Sequence, residues 1–531
     1  MDNRGSIKKQ SIVGGFAILS IAGILSKLLS VVYQPLLNGI IEKDGMGLYG
    51  ATYGIFVYFY MIANSGLPNS ISKLVSEEIE LGNENRAHRI FLLSRKLLII
   101  FGGLLSIIMF FGSNVFAEWM GYPKISLAVK VLSPAVFITA VLSSYKGYFQ
   151  GQKYMTPTGI SQIFEQFANV FISLTVAALL LNSKGLIFGV AGATTGTVVG
   201  ALLAILIMII YYRRSKLDEI KTDNTEDKIL IKKIIAQAAP ITFCMSLQGL
   251  GLILDPKILE MRLSSIGFTE KAIEVSNGFI FRYNSLINVP IALAMALAVA
   301  VLPSVAALMA KGYKERLKNR IDFSIKLCFI VTIPCAVGLS VLAYPICKLL
   351  KYNSSGVAEL LIYGSGILLL MSIIQIQTAI MQGINKLYTI TVISVSALVL
   401  KLAINYFTIV QFDYIGVLIG NGMGYLLIVI LSTISINKTI DGKVKIISSA
   451  VKPLISAGIM GAVVFGINKL LYMVFSMVLG NYISNALAVV ISIIIGAVTY
   501  GGVFLIIGGL SKDEFDAMPN KIKRLVPKRF L

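Results

Sequence analysis

Residues 11–37 read SIVGGFAILSIAGILSKLLSVVYQPLL, an apolar run in which Lys27 is the one charged side chain. The run is longer than the apolar region of a signal peptide and has no small-x-small cleavage site. About 20 apolar residues are enough for a helix to cross the hydrocarbon core of a bilayer. The run therefore predicts a first membrane-spanning helix that is retained.

The rest of the chain has the same apolar character. Of its 531 residues, 56% are hydrophobic and 14% are charged, and the mean hydropathy is +0.82. A soluble domain carries about 25% charged residues, so a soluble fold is excluded. Apolar runs of spanning length predict an all-α polytopic membrane protein with about fourteen transmembrane helices.

The basic residues predict the orientation of these helices. Most of the 47 lysines and arginines fall in connecting segments that alternate with poorly charged ones, and basic segments stay on the cytoplasmic side. This alternation places both termini in the cytoplasm. The net charge of +21 is then a topology signal, and we expect no nucleic-acid partner.

The chain also contains an internal repeat, displaced by about 230 residues. Leu-Pro at 67–68 recurs at 302–303, and Gln-Gly at 150–151 recurs at 382–383. Six predicted helices separate the copies, so the two halves share one orientation and predict a parallel pseudo-two-fold repeat. The predicted domains are a six-helix lobe over 1–220, a second lobe over 221–440, helices 13 and 14 over 441–510, and a basic tail over 511–531.

The residue inventory excludes several kinds of catalytic site. His88 is the only histidine, and the four cysteines form no C-x-x-C pair. A zinc site or a histidine-based triad would lack its parts. We therefore expect no metal, no cofactor and no enzymatic activity.

Three predicted helices carry a polar seam with an ionisable group at helical spacing. Residues that bear the cost of a charge inside the bilayer generally face a cavity, so three such seams indicate a shared aqueous chamber. The predicted binding residues on these seams are Lys27 with Ser30 and Gln34 on helix 1, and Lys401 with Asn405 on helix 11; Glu165 is the ionisable group on helix 5.

The sign of the charges in the predicted spans indicates the ligand. The predicted spans contain five basic residues and one carboxylate, Glu165. Glu165 is either the ion-pair partner of a lysine or a site for a coupling cation. Arg282 lies near the outer end of helix 8, where a chamber position and snorkelling to the membrane surface both explain an arginine. Excess positive charge in a chamber of low dielectric favours an anion, and phosphate oxygens pair readily with Lys and Arg.

Several motifs resemble a known family. They are 26–35 (SKLLSVVYQP), 45–49 (GMGLY), 66–77 (GLPNSISKLVSE) and 148–151 (YFQG). Together they resemble the multidrug/oligosaccharidyl-lipid/polysaccharide (MOP) exporter superfamily, within it the lipid II flippase branch that includes stage V sporulation protein B.

The resemblance implies two six-helix lobes around a cationic cavity, with helices 13 and 14 forming a groove for a lipid tail. It implies alternating access, in which an undecaprenyl-pyrophosphate oligosaccharide of the lipid II type crosses a bacterial plasma membrane for cell-wall or spore-cortex synthesis. Lys27 and Arg282 occupy the positions of basic residues that face the cavity in that branch. Tyr33 stands where the better-known flippases carry a second arginine.

Other functions stay open at this stage. The first alternative is export of another lipid-linked polysaccharide, such as a teichoic acid or a capsule precursor. A multidrug or cation antiporter of the same superfamily would call for more carboxylates. A membrane glycosyltransferase or polymerase would need acid and base residues at a membrane face. The longest outer segment, 255–277, has carboxylates but reads as a solvated amphipathic linker.

Overall fold

The computed structural model describes residues 12–64, 66–215, 226–352 and 355–509. Over these ranges the chain is helical, without strands. Eleven segments are long and apolar enough to cross a membrane, or up to twelve if the bent pair Ser355–Gly364 and Ile367–Gly383 forms one span. The protein is therefore an all-helical, multi-pass membrane protein, as the composition predicts.

Several of these segments contain a break or more than one helix. The 54-residue segment Leu387–Ile440 holds two α-helices separated by a 3-10 turn at Asp413–Ile415. The helix Ile12–Asn64 is interrupted at Glu42, whose backbone is non-helical with φ 56°. The count of fourteen transmembrane helices stays a prediction.

The chain divides into two compact units, of which the first comprises residues 1–282 and 409–414. Its central helix is α5, whose side chains are buried almost without interruption from Leu132 to Phe149. Helices α1, α2, α3 and α7 pack around it. The helices of this unit are α1 (Ile12–Asn64), α2 (Leu67–Glu80), α3 (Glu84–Phe111), α4 (Ser113–Met120), α5 (Ser126–Gly151), α6 (Thr156–Lys184), α7 (Leu186–Arg214), α8 (Asp227–Gly249) and α9 (Gly251–Ser265).

The second unit comprises residues 283–408 and 415–531. Its core is built from aliphatic side chains such as Ile321, Ile376 and Met460. The last two helices, α17 and α18, pack on each other, and α17 also packs on α11. The helices are α10 (Glu270–Ala310), which begins in the first unit, α11 (Lys314–Val341), α12 (Ala343–Leu349), α13 (Ser355–Gly364), α14 (Ile367–Gly383), α15 (Leu387–Phe412), α16 (Gly416–Ile440), α17 (Ile446–Ser476) and α18 (Asn481–Ile506).

The backbone repeats the pattern that the sequence motifs predict. Left-handed residues recur about 230 positions apart, at Gly82 and Gly312 and again at Gly121 and Lys351. After the second pair, a buried tyrosine closes the preceding short helix in each unit. Tyr122 donates its backbone N–H to Ala117 at 2.9 Å, and Tyr352 donates its own to Cys347 at 2.8 Å. Each unit therefore contains the same ordered set of turns.

Two predicted boundaries fall outside the described residues. The junction predicted at 220 lies within 216–225, and the predicted basic tail over 511–531 lies beyond residue 509. The helices predicted over 441–510 are observed as α17 and α18.

A seam of glycines allows α7 to approach α6 closely. A Cβ at Gly192 would lie 2.8 Å from the carbonyl oxygen of Val176, and Cβ atoms at Gly196 and Gly200 would overlap the carbonyl oxygens of Asn169 and Glu165. Small residues at a spacing of four let membrane helices pack backbone to backbone. This contact fixes the position of Glu165 in the first unit.

We expect Gly196→Leu to lower the thermal unfolding temperature of the purified protein, because its side chain would meet backbone that cannot move aside. Overpacking of this kind costs about 1–3 kcal/mol. Gly458→Leu on α17 is the matched control, because a Cβ there meets no atom within 4 Å. Equal unfolding temperatures for the two variants would contradict the close packing of α6 and α7.

Candidate functional site

The predicted residues of helix 1 lie on the first half of α1. The side chain of Lys27 is outside the described part of the structure. Ser30 is half-buried and donates its hydroxyl to the carbonyl of Ser26 at 2.9 Å. Gln34 is half-buried, and its Oε1 is shielded from solvent without a hydrogen-bond donor among the described residues. An unsatisfied buried oxygen is costly, so Gln34 marks a polar position in an apolar setting.

Tyr33 belongs to an aromatic cluster inside the first unit. Its hydroxyl lies 3.2 Å from that of Tyr49 and 3.2 Å from the carbonyl oxygen of Ala193. The ring of Tyr49 lies 4.5 Å from that of Tyr53, whose hydroxyl bonds to Thr197. Tyr33 and Tyr49 are buried, so these rings contribute to packing. Tyr33 therefore packs in the interior of the first unit.

Arg282 is fully buried, so the snorkelling explanation of this residue is wrong. Its Nη2 donates to the carbonyl oxygen of Glu42 at 3.3 Å, at the residue where α1 leaves helical geometry. Backbone carbonyls beside such a break are not used by the helix itself, so they need another donor. The arginine therefore lies against the interruption of α1.

The start of α10 packs tightly on α1 beside this contact. Asn277 donates its side-chain amide to the carbonyl oxygen of Gly47 at 2.8 Å. A Cβ at Gly47 would overlap the carbonyl oxygen of Glu274, so only glycine fits there. Asn284, further along α10, is exposed instead. The asparagine nearer the start of α10 is therefore buried against α1, and the later one is exposed.

The segment 255–277 is not the solvated linker that its composition suggests. Residues 251–265 form α9, and residues from Glu270 onward form the start of α10. Glu274 is buried and accepts a hydrogen bond from Lys124 at 2.8 Å. This carboxylate is therefore part of the packing of the first unit.

Glu165 forms an ion pair with Lys146. The Lys146 Nζ lies 3.3 Å from the Glu165 Oε2, and the two side chains are 25% and 23% exposed. Lys146 is not among the residues predicted from the sequence, yet it lies within α5, which continues to Gly151. The small and polar residues at 143–147 interrupt the apolar pattern, so this part of the helix is easily missed. A predicted span of full membrane-crossing length would have included it.

The second unit holds the predicted residues of helix 11. Lys401 is 7% exposed, and its Nζ lies 5.9 Å from the centre of the Tyr425 ring. Asn405 is buried, and its Oδ1 has no hydrogen-bond donor among the described residues. A Cβ at Gly424 would lie 2.9 Å from the Lys401 Cβ, so α16 packs directly on this stretch of α15.

The predicted residues are therefore divided between the two units. Ser30, Gln34, Glu165 and Arg282 lie in the first unit, and Lys401 and Asn405 lie in the second. Each unit buries a basic side chain among apolar helices, at a cost of about 2.5–3.5 kcal/mol on insertion scales. Such residues are functional candidates by default, because packing alone does not require them.

The profile of the polysaccharide biosynthesis protein family matches residues 12–309, which is more than half of the chain. The chain belongs to this family. A solved structure of a multidrug resistance MATE family transporter of the MOP superfamily has a similar fold, with a TM-score of 0.64 at 16% identity, covering 78% of this chain and 94% of that chain.

Two relatives of this chain come from Bacillus subtilis (strain 168). The lipid II flippase MurJ is 24% identical over 521 residues, which cover 93% of this chain and 94% of MurJ. Stage V sporulation protein B is 24% identical over 478 residues, which cover 86% of this chain and 92% of the relative. The likeness to both covers more of the chain than the family profile does.

A solved structure of the lipid II flippase MurJ in an inward closed conformation has a similar fold. It matches with a TM-score of 0.67 at 13% identity, covering 92% of this chain and 99% of that chain. At this identity, the likeness establishes the fold.

We expect Asn277→Ala to destabilise the purified protein, because it removes the buried hydrogen bond from Asn277 to the carbonyl of Gly47. A hydrogen bond of this kind contributes about 0.5–1.5 kcal/mol. Asn284→Ala is the matched control on the same helix, since its side chain is exposed and its loss should cost under about 0.5 kcal/mol. Thermal unfolding of both variants measures the difference, and an equal decrease would show that the Asn277 contact is unimportant.

Proposed function

We propose that the chain is a flippase for a lipid-linked polysaccharide precursor, a transporter rather than an enzyme. The observation that carries the proposal is the likeness to a lipid II flippase along 93% of the chain. Within this class, we propose an undecaprenyl-pyrophosphate oligosaccharide of the lipid II type as the substrate. It moves from the inner to the outer leaflet of a bacterial plasma membrane.

The charges inside the helices support an anionic substrate. The sequence places five basic residues and one carboxylate within the predicted spans. The structure pairs that carboxylate, Glu165, with a further basic residue, Lys146. Positive charge therefore remains in excess, and pyrophosphate oxygens form charge-assisted hydrogen bonds with Lys and Arg.

In the first unit we assign pyrophosphate contacts to Lys27 and Arg282, with Ser30 and Gln34 as polar neighbours. In the second unit, the corresponding candidates are Lys401 and Asn405. Arg282 bonds the Glu42 carbonyl in this conformation, so substrate binding requires that contact to open. A substrate that binds one conformation better than another shifts the population toward it, which is the requirement of alternating access. Both termini lie in the cytoplasm in this proposal.

The pairing of Glu165 with Lys146 argues against a multidrug or cation antiporter, because an organic cation needs an available carboxylate. A teichoic-acid or capsule precursor carries the same kind of lipid-linked phosphate as the proposed substrate. Expression of the chain in cells depleted of their lipid II flippase tests for the vegetative substrate, which restored growth would indicate. Expression in a sporulating host that lacks spore cortex tests for the sporulation substrate, which restored cortex would indicate.

We expect Lys27→Ala and Arg282→Ala each to reduce translocation of lipid II about tenfold or more, since a hydrogen bond to a charged group contributes about 1.5–3 kcal/mol. The assay uses the full chain in proteoliposomes and follows the accessibility of fluorescent lipid II in the outer leaflet. Lys469→Ala is the matched control, because Lys469 is exposed on α17. Full translocation by both variants would remove the assigned site, and an inactive unmodified chain would remove the proposed function.

A further inference from the structure

The Lys146–Glu165 pair is poorly explained by folding stability. Each side chain comes from a different helix, α5 or α6, and about three quarters of its surface is covered. Removing two charges from water costs several kcal/mol per ion, and replacing such pairs by apolar residues is often neutral or stabilising. A pair of this kind inside a membrane protein is therefore a functional candidate.

The bond between the two groups is weak for an ion pair. The Lys146 Nζ donates to the Glu165 Oε2 at 3.3 Å, whereas charge-assisted hydrogen bonds lie at about 2.7–2.9 Å. A lysine ammonium has three donors, so this contact leaves capacity for further acceptors. A ligand with several anionic oxygens can therefore compete with the carboxylate for Lys146.

The position of the pair suits a group that meets a substrate early. Lys146 lies in the last two turns of α5, and Glu165 lies in the third turn of α6, close to the short connection between these helices. The predicted orientation places this connection on the cytoplasmic side. The pair thus lies toward the leaflet from which the substrate enters.

We propose that Lys146 binds the pyrophosphate of the incoming lipid-linked substrate, and that Glu165 is the counter-ion that the pyrophosphate displaces. The proposal rests on the proposed function and adds a contact that the sequence does not predict. With no substrate bound, Glu165 offsets the charge of Lys146. On binding, Lys146 exchanges one carboxylate oxygen for the oxygens of the pyrophosphate.

Charge reversal distinguishes this arrangement from a structural ion pair. We measure binding of undecaprenyl pyrophosphate to the full chain in nanodiscs, together with lipid II translocation in proteoliposomes. Lys146→Glu should abolish both, and the double variant Lys146→Glu with Glu165→Lys should not restore them to the unmodified level. Full restoration by the double variant would overturn the proposal, because a purely structural pair tolerates reversal.

Neutral substitutions test the role of each partner. Lys146→Gln should weaken undecaprenyl pyrophosphate binding several-fold, whereas Glu165→Gln should strengthen it several-fold, because the competing carboxylate is gone. Lys146→Arg should retain most of the affinity. Weaker binding by Glu165→Gln would overturn the proposal and favour a role for Glu165 in binding a coupling cation.

Lys130→Gln is the matched control, because Lys130 lies on the same helix in the turns nearest its other end. Its binding should equal that of the unmodified chain, and thermal unfolding of every variant checks that it folds. If the unmodified chain translocates lipid II and Lys146→Gln binds undecaprenyl pyrophosphate normally, this inference alone is wrong. If the unmodified chain does not translocate lipid II, the proposed function is wrong.

Discussion

Two basic side chains, Arg282 and Lys401, are buried among apolar helices, and their charges need acceptors there. Arg282 is fully buried against the carbonyl of Glu42, and Lys401 is nearly so between α15 and α16. Arginine cannot lose its proton in a protein, so its charge must be stabilised by the surrounding groups. A broken helix supplies a carbonyl to Arg282, and a phosphate-bearing substrate would supply stronger acceptors. An anionic substrate can therefore compete with the Glu42 carbonyl for Arg282.

Glycines position these charges by bringing backbones together. Gly47 admits the carbonyl of Glu274 at the start of α10, next to the contact of Arg282 with α1. Gly200 on α7 likewise leaves room for the backbone carbonyl of Glu165 on α6. Helices in a membrane gain little from the hydrophobic effect, so close packing and interhelical hydrogen bonds hold them together. The polar groups are thus held by backbone contacts that leave little room for adjustment.

The sequence predicts the multi-pass helical fold because the helices long enough to span a membrane are apolar runs, and the repeat of turns follows from matching motifs. Two positions show what the sequence does not reveal. Small and polar residues surround Lys146 and obscure the helical period, yet Gly147 and Gly151 let α5 pack on the carbonyls of Pro68 and Ser72. Arg282 allowed a surface explanation because its partner, Glu42, is remote in sequence. Helical periodicity assigns a face, but it does not identify what covers that face.

The most direct test of the account compares undecaprenyl pyrophosphate with undecaprenol for binding to the full chain in nanodiscs. The two lipids share the tail and differ in the charged group. The account predicts that the pyrophosphate binds about tenfold more tightly or better, since even one charge-assisted contact contributes about 1.5 kcal/mol, and that raising the salt concentration narrows the difference. Equal affinities would contradict it, because recognition would then reside in the tail and the buried cations would have no anionic ligand.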